Sequence, residues 1–472
     1  MGKKLPNTLL TTLMGAALLG GCSLAPPMEP VAGVVPAALP ADGVYPAATE
    51  GSAADIAWRD FFLDDRLKSV ITTGLENNRD LRASVANVLA ARARYRVQRA
   101  DRLPTIGASG SATFTDDIAQ AAALGQQGGG NVEFYSAQIG ISAFEIDLFG
   151  RVRNLSEAAL QTYFATEEAQ RAARISLIAE IANAWLSYGA AQDQLRIAEK
   201  TLVTYQETRD LTQAQFRIGV ASELEASQAE AQYQAARTDI ATLRTQLAQT
   251  RNALELLAGA PVTDALLPQG LPDDGATLKS LPTGLSSSVL LRRPDVLGAE
   301  RQLRAQNANI GAARAALFPT ISLTATYGTA STALSGLFGS GTFAYNVSPG
   351  ISLPIFDMGR RQANVRAAQA DQQAALAAYE GAIQSAFREV SDALAQRGTI
   401  GEQVDGQARR AEAARKAATL SEARYRVGVS SFLQVLDAQR TAYAADQLLV
   451  QTRLAEQTNG IELYRSLGGG LS

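Results

Sequence analysis

One feature narrows the folds open to this chain more than any other: the sequence is written twice. Phe216-Arg217-Ile218-Gly219-Val220 returns 209 positions later as Tyr425-Arg426-Val427-Gly428-Val429, and Leu224 and Ala229 return at that offset as Leu433 and Ala438. Gly150-Arg151 matches Gly359-Arg360, again 209 apart. Upstream, Leu103-Pro104-Thr105-Ile106 returns as Phe318-Pro319-Thr320-Ile321, and Asp80 as Asp295, both 215 apart. The offset therefore changes between Ile106 and Gly150, where a loop is expected. Each half is about 190 residues, far beyond solenoid periods, so a whole folding unit has been duplicated.

Each half reads as helix, strand pair, long helix, turn, helix. A helix is predicted from near Asp80 to Arg102, stopped by Pro104. Tyr135, Ala137, Ile139, Ile141 and Ala143 then alternate with Ser136, Gln138, Gly140 and Ser142. The second half repeats this with Ile321, Leu323, Ala325 and Tyr327, then Tyr345, Val347, Ile351 and Leu353. Period-2 segments of this length suit membrane strands of roughly 9–11 residues, although a soluble hairpin carries the same alternation. Loops rich in Gly, Ala and Ser, Ala119 to Gly130 and Ala330 to Thr342, join each pair.

The long helices carry a heptad seam. Leu177, Ile181, Ala184, Tyr188, Ala191, Leu195, Ala198, Leu202 and Tyr205 are spaced alternately four and three. Moving 209 positions on gives a smaller seam, Ala386, Val390, Ala393, Arg397, Ile400, Val404, Ala411 and Ala414. A continuous helix from Asn154 to Arg217 would run about 95 Å at 1.5 Å per residue. Gly219 and Gly428 fit left-handed helix caps. Ser222-Glu223-Leu224-Glu225 and Ser431-Phe432-Leu433-Gln434 fit capping boxes, so new helices start at once. Each unit therefore ends in a long helical hairpin with a tight tip.

Composition removes most chemistry. Among 472 residues there is no histidine and one cysteine, Cys22. His-based triads and metal sites, internal disulfides and Cys zinc sites are excluded together. No glycine-rich phosphate loop lies in a strand-to-helix context, and no Ser-Lys or carboxylate constellation stands out. The chain is therefore read as a non-enzyme without a cofactor. Lys+Arg is 43 against Asp+Glu 46, which argues against a nucleic-acid partner.

The N-terminus reads as a lipoprotein signal over residues 1–21. Lys3 and Lys4 precede an apolar stretch, Leu9 to Leu19, that ends in Leu19-Gly20-Gly21-Cys22 and resembles a bacterial lipobox. Cys22 is then the acylated first residue, and Ser23 after it suits an outer-membrane destination. Residues 22–54, rich in Pro, Ala and Gly, read as a lipid-anchored extended tether. No later segment has 18 consecutive apolar residues, so any membrane crossing is by strands. Four strands cannot close a barrel; two copies give eight and three give twelve, and a conducting pore favours the larger.

Specific motifs accompany this architecture: Trp58 and Phe62, Asn78 and Asp80-Leu81, Leu291-Arg292-Arg293-Pro294-Asp295-Val296, Phe318-Pro319-Thr320, Tyr425-Arg426-Val427-Gly428, Val435-Leu436-Asp437-Ala438-Gln439-Arg440, and Leu463-Tyr464-Arg465-Ser466-Leu467-Gly468-Gly469-Gly470. In them the chain resembles the TolC-like outer-membrane efflux proteins, in their lipoprotein (NodT/OprM-like) branch. The resemblance implies a mainly α fold with a transmembrane β-barrel portion. It implies a homotrimer with a 12-stranded outer-membrane barrel continuous with a 12-helix periplasmic α-barrel. The expected parts are a first repeat at 55–258, with a β-hairpin at about 105–149 and a helical hairpin at about 154–258. An equatorial linker follows at 259–292. The second repeat spans 293–472, with hairpins at about 320–355 and 360–467. The mixed equatorial region would draw on about 55–77, 259–292 and the C-terminal end.

The resemblance also implies a function: a passive outer-membrane channel of a tripartite efflux system in a Gram-negative bacterium, docking a periplasmic adaptor and an inner-membrane transporter expected to be proton-driven. Two alternatives stand beside it, the exit duct of a type I protein-secretion system and a lipid-anchored coiled-coil scaffold without a pore. Asp437 matches the family's gate aspartate, with Gln434 where a second aspartate often stands. Tyr425 and Glu225 match a tyrosine–carboxylate link that holds the hairpins shut, and Ser430 replaces a latching arginine. Arg217, Gly219 and Val220, with Arg426, Gly428 and Val429, fall at the tips where adaptors dock. Arg292, Arg293 and Asp295 read as helix-start residues, with an ion pair between protomers as the alternative.

Overall fold

The computed structural model describes residues 23–28, 31, 33–46, 55–116, 132–278, 281 and 286–470. Cys22, the signal segment and the loop Ala119 to Gly130 lie outside the described residues. In chain order the elements are α1 (Trp58–Phe61), α2 (Asp65–Asn77), α3 (Arg79–Ala100), β1 (Ile106–Thr115), β2 (Val132–Glu145), α4 (Arg151–Arg217), α5 (Glu223–Ala258), α6 (Pro294–Ala315), β3 (Thr320–Ser331), β4 (Phe343–Ser352), α7 (Arg360–Arg426) and α8 (Phe432–Ser466). The series α3-β1-β2-α4-α5 is repeated by α6-β3-β4-α7-α8. Both α4 and α7 have 67 residues, which is about 100 Å of helix. Among the described residues no helix is long and apolar enough to cross a membrane.

The chain forms two compact units. The first comprises Met1–Pro30, Val88–Thr166 and Ala299–Tyr379. Its centre is an antiparallel sheet in the order β1-β2-β3-β4, so the two repeats meet at β2 and β3. Residues directly opposite one another share a face. Ala108, Ile139, Tyr327 and Tyr345 form one apolar row, and Ile106, Ile141, Ala325 and Val347 the next. The other face is mostly small and polar, with rows such as Gly107, Gly140, Thr326 and Asn346, and it also carries Phe134 and, past the bulge, Glu145.

One strand departs from the predicted alternation. The register of β2 against β3 shifts between Ile141 and Phe144, and Ala143 adopts φ 51°. This bulge adds one residue, so Phe144 pairs with Leu323 and joins the apolar face that Ala143 was expected to occupy. It also accounts for part of the changing repeat offset. Ile106 faces Ile141 and Ile321 faces Ile351, so β2 and β4 correspond 210 positions apart, and the bulged residue restores 209 by Gly150 and Gly359. Leu353, predicted in the last strand, lies just beyond β4.

At the foot of the sheet Phe149 stacks on Phe318 with ring centroids 4.6 Å apart. The Ile146 N–H donates to the Ile321 carbonyl at 2.8 Å. The start of the expected tether is extended but docked. The Ser23 hydroxyl donates to Asn154 Oδ1 at 2.8 Å, and Asn307 donates to the Pro26 carbonyl at 2.9 Å. Gly311 permits this approach, since a Cβ there would lie 2.8 Å from the Ala25 nitrogen.

The second unit comprises Val31–Asn87, Glu167–Gly298 and Glu380–Ser472. Its core includes the fully buried Trp58, Phe61, Phe62, Leu67, Ile71, Ile181, Trp185 and Leu186. The Phe61 and Tyr464 rings stack at 3.9 Å, and the Tyr464 hydroxyl donates to the Ile56 carbonyl at 2.6 Å. Arg293 is buried and donates to Asp295 Oδ1 at 3.0 Å, Glu389 Oε2 at 2.9 Å and the Ser466 carbonyl at 2.8 Å. That arrangement ties the start of α6 to the interior of α7 and the end of α8 within one chain. Arg292 pairs with Asp55 at 3.0 Å on the surface. The heptad positions Leu177, Ile181, Ala191, Leu195, Ala198 and Tyr205 are buried, as are Ala386, Val390, Ala393, Ile400, Ala411 and Ala414.

Candidate functional site

The residues singled out in the sequence collect where α4, α5, α7 and α8 reach their hairpin turns, within the second unit. Both turns are built alike. Gly219 and Gly428 sit at φ 76° and 78°, a region that strains any residue with a Cβ. In the first turn the Gly219 N–H donates to the Phe216 carbonyl at 3.0 Å and Val220 to Gln215 at 2.9 Å. In the second, Gly428 donates to Tyr425 and Val429 to Arg424, each at 2.9 Å. This paired closure is the Schellman arrangement, which satisfies the last helical carbonyls.

The next helices start differently. Ser222 forms the full capping box: Glu225 N–H donates to its hydroxyl at 3.2 Å, and its own N–H donates to Glu225 Oε2 at 2.7 Å. Ser431 occupies the N-cap of α8 without a side-chain capping bond, so the second predicted box does not form. Its neighbour Ser430 instead accepts from Arg424 Nε at 3.0 Å.

Beneath the tips lies a small core of Ala229, Tyr425, Phe432, Val435 and Leu436, with Leu211 packed against it. Tyr425 therefore points inwards. Its hydroxyl donates to Gln215 Oε1 at 2.7 Å and stands 3.5 Å from the Thr212 hydroxyl. This corrects the expected link to Glu225 within the chain. The Glu225 carboxylate is already held by the Ser222 N–H and hydroxyl, and Tyr425 is drawn towards α4 by the apolar packing around its ring. Gln215 carried no sequence signal for this role. Deeper along the hairpins, Gln439 Nε2 donates to Thr208 Oγ1 at 3.0 Å and Arg440 Nε to Gln232 Oε1 at 2.6 Å. Gln439 lies within the Val435–Arg440 motif, whose pattern carries no sign of this bond.

Asp437 and Gln434 are exposed on one face of α8, one turn apart. Arg217, Gly219, Val220, Arg426, Gly428 and Val429 are all exposed at the turns. Arg426 lies 2.5 Å from Glu422 and 3.7 Å from Glu207. Sequence reading missed four apolar side chains beside them, Ile218 and Leu224 at one tip and Val427 and Leu433 at the other, all exposed. The signal was present: both pairs recur at the 209 offset. Large apolar side chains left in water at a helix turn mark a contact surface rather than a reaction centre. Among the described residues no group of acidic, Cys or His side chains could hold a metal ion.

The outer membrane efflux protein family model matches residues 70–260 and 285–469, about one match per repeat. The chain belongs to this family. This outer membrane efflux protein is 42% identical over 466 residues to the toluene efflux pump outer membrane protein TtgC of Pseudomonas putida, covering 98% of this chain and 96% of TtgC. It is 42% identical over 459 residues to the cation efflux system protein CusC of Escherichia coli K12, covering 96% and 98%. The open-state structure of the MtrE outer membrane channel of Neisseria gonorrhoeae matches with a TM-score of 0.85 at 38% identity, covering 95% of this chain and 99% of MtrE. The protein is thus an outer-membrane efflux channel protein, and its family is one of channels rather than enzymes.

Proposed function

We propose that three copies of this chain form the passive exit duct of a tripartite efflux system. The observation that carries this reading is the four-stranded sheet. One face is mainly apolar and largely exposed, the other mainly small and polar, and both edge strands are free to pair. An open sheet in lipid would leave N–H and C=O groups of β1 and β4 without partners. Twelve strands remove the edges and leave room for a lumen, whereas eight fill it with side chains. The helical hairpins of the three copies then form the periplasmic 12-helix tube, with an adaptor and an inner-membrane transporter below.

Acylation of Cys22 anchors the chain. Ser23 is bonded to Asn154 close to the foot of β2, so a lipid on Cys22 would enter the membrane beside the sheet. Asp437 serves as the gate carboxylate, since a trimer sets three copies about one axis and an acidic ring favours cations. Gln434 lies one turn from it on the same face, and Glu225 and Tyr425, the latter acting through Gln215, belong to the same gate. The tips, with Arg217, Gly219, Val220, Arg426, Gly428 and Val429 flanked by Ile218, Leu224, Val427 and Leu433, receive the adaptor. Relatives of equal identity are named for toluene and for cations. That supports a duct that does not choose its cargo, with selection left to the inner-membrane partner.

The test is single-channel conductance of purified protein in planar bilayers, wild type against Asp437→Ala combined with Tyr425→Phe. Small wild-type conductance that rises sharply in the double variant supports channel and gate together. Large, unchanged conductance keeps the channel and moves the constriction elsewhere. Silence from correctly folded protein ends the pore reading.

A further inference from the structure

The second unit holds a cleft that involves neither the gate residues nor the hairpin tips. Its volume is about 610 Å³, and it lies between α4, α7, α8 and the linker residues 269–273. Five cationic side chains line it, Arg66, Arg196, Lys200, Arg415 and Arg453, against three carboxylates, Asp193, Asp273 and Asp446. The whole chain carries a net charge of -3, so this cationic excess is local.

One wall is set by close backbone packing. Gly189 of α4 approaches the linker so tightly that a Cβ there would lie 2.8 Å from the Gly270 carbonyl oxygen. A Cβ on Gly270 would in turn collide with the Asp193 carboxylate. Asp193 is held from two sides: Oδ1 accepts from Arg196, and Oδ2 accepts from the Leu271 N–H at 2.9 Å. Gln457 of α8 donates to the Pro272 carbonyl at 3.0 Å. Linker and helices therefore give the cleft a preset shape, and the buried Leu449 and Val450 add an apolar patch to it.

The cleft has more donors than its own acceptors can take. Both oxygens of Asp193 are occupied. Arg196 uses one nitrogen on Asp193, and Arg415 uses Nε on Asp446 Oδ1 at 2.7 Å. Arg453 reaches Asp273 at 4.0 Å, beyond hydrogen-bond range, and Asp273 is 97% exposed. Lys200 has no hydrogen bond or ion pair among the described residues. Arg66 differs, since Asp64 takes it at 2.7 Å, and it serves as wall. Arg196, Lys200, Arg415 and Arg453 thus bring spare donors to one cleft from three helices. A carboxylate has two oxygens in one plane and is satisfied by a single guanidinium fork. A phosphate offers three oxygens about a tetrahedral centre, which suits donors arriving from several directions. Four cations on facing helices suit two linked phosphates better than one.

We propose that this cleft binds a small soluble molecule carrying a diphosphate group, with Arg196 and Lys200 taking one phosphate and Arg415 and Arg453 the other. The bound anion bridges the two helical hairpins, because α4 belongs to the first and α7 and α8 to the second. The cleft is separate from gate and tips, so its occupancy can be read whether or not the channel conducts.

Isothermal titration of the full chain in detergent with inorganic pyrophosphate tests this. Wild type should bind saturably, one pyrophosphate per chain, and should bind inorganic phosphate at least about tenfold more weakly. Its melting temperature should rise as pyrophosphate is added, since a ligand of the folded state stabilises it. Lys200→Gln combined with Arg453→Gln, which disrupts no close ion pair, should weaken pyrophosphate binding by about tenfold or more. Lys200→Gln alone should weaken it by about threefold or more and keeps the test valid if the pair of changes prevents folding. Arg409→Gln is the control. Arg409 pairs with Asp405 at 3.0 Å on the surface of α7, away from the cleft lining, and its loss should change affinity by less than about twofold. No saturable binding by folded wild type overturns the site. Binding that Lys200→Gln leaves unchanged, or that Arg409→Gln weakens as much, overturns it as well and points to diffuse charge. Phosphate bound as tightly as pyrophosphate overturns the diphosphate assignment.

Discussion

The helical hairpin α4–α5 and its duplicate α7–α8 share length, turn geometry and cap glycines, yet they are filled differently. In the shaft of the first, Leu195, Ala198 and Ile240 pack with Leu202, Leu243 and Leu247. In the second, Ala411, Ala414, Ala442 and Ala445 pack with Leu449. At the tips the distribution reverses. Tyr425 and Phe432 are buried in the second hairpin, while their counterparts Phe216 and Glu223 are exposed in the first. Backbone geometry here depends on few positions, chiefly the two glycines, and these were kept. Packing is shared among many positions, and volume lost at one level reappears at another. Helix pairs approach within about 8–10 Å according to the side chains between them, so small alanines in one shaft and leucines in the other set different packing demands.

The largest expected contrast is at the tips. Phe432→Ala should destabilise by about 3–5 kcal/mol, as for other buried phenylalanines. Its counterpart Glu223→Ala should change stability by less than about 0.5 kcal/mol, as an exposed site does. Urea denaturation of both variants measures the difference, and equal effects would mean that the tip core is not where the second hairpin is held.

In the shafts, Leu195→Ala should destabilise by about 2–5 kcal/mol through a cavity. Ala414→Leu should destabilise by about 1–3 kcal/mol through overpacking. If the alanine accepts leucine without loss of thermal stability, the second shaft is looser than its packing suggests.

The caps come next. Ser222→Ala should lower stability by about 1 kcal/mol, since its hydroxyl accepts from the Glu225 N–H. Ser431→Ala should lower it by no more than a few tenths, because that hydroxyl makes no capping bond. Parallel melting curves decide this.

The smallest effect concerns acid. Burial tends to raise the Asp295 carboxyl, but the hydrogen bond and charge of Arg293 outweigh it and hold it below its ordinary value. A depressed carboxylate contributes stability above its unfolded pKa, near 4, and loses it as pH falls through the folded value. Wild type should therefore lose stability more steeply than Asp295→Asn below about pH 4. Coincident pH–stability curves would show that Arg293 is held by Glu389 and Ser466 without help from Asp295.

Much of this was legible from local pattern. The heptad spacing marked Ile181 and Ala386 as buried, and Gly219 and Gly428 marked both turns. Period-2 alternation placed the strands, and the failures are as local. Ala143 has strand-like neighbours on both sides, so nothing nearby announces that it bulges. Ser431 and Gln434 have the spacing of a capping box, but spacing cannot say whether the hydroxyl turns to the backbone. Gln215 has no feature that sets it apart from the other glutamines of α4. It receives Tyr425 because the chain brings residue 215 beside residue 425 and closes an apolar pocket around the ring.

Helix lengths, strand faces, the left-handed caps and the repetition of the whole unit follow from the amino-acid order, because each depends on backbone preferences and periodicities within a few residues. The partner of Tyr425, the burial of Arg293 against Glu389 and the Ser466 carbonyl, and the docking of Ser23 on Asn154 do not follow from it. Each joins groups that lie far apart in the chain. Desolvation and steric fit select among many chemically equivalent partners, and that selection exists once the packing is complete.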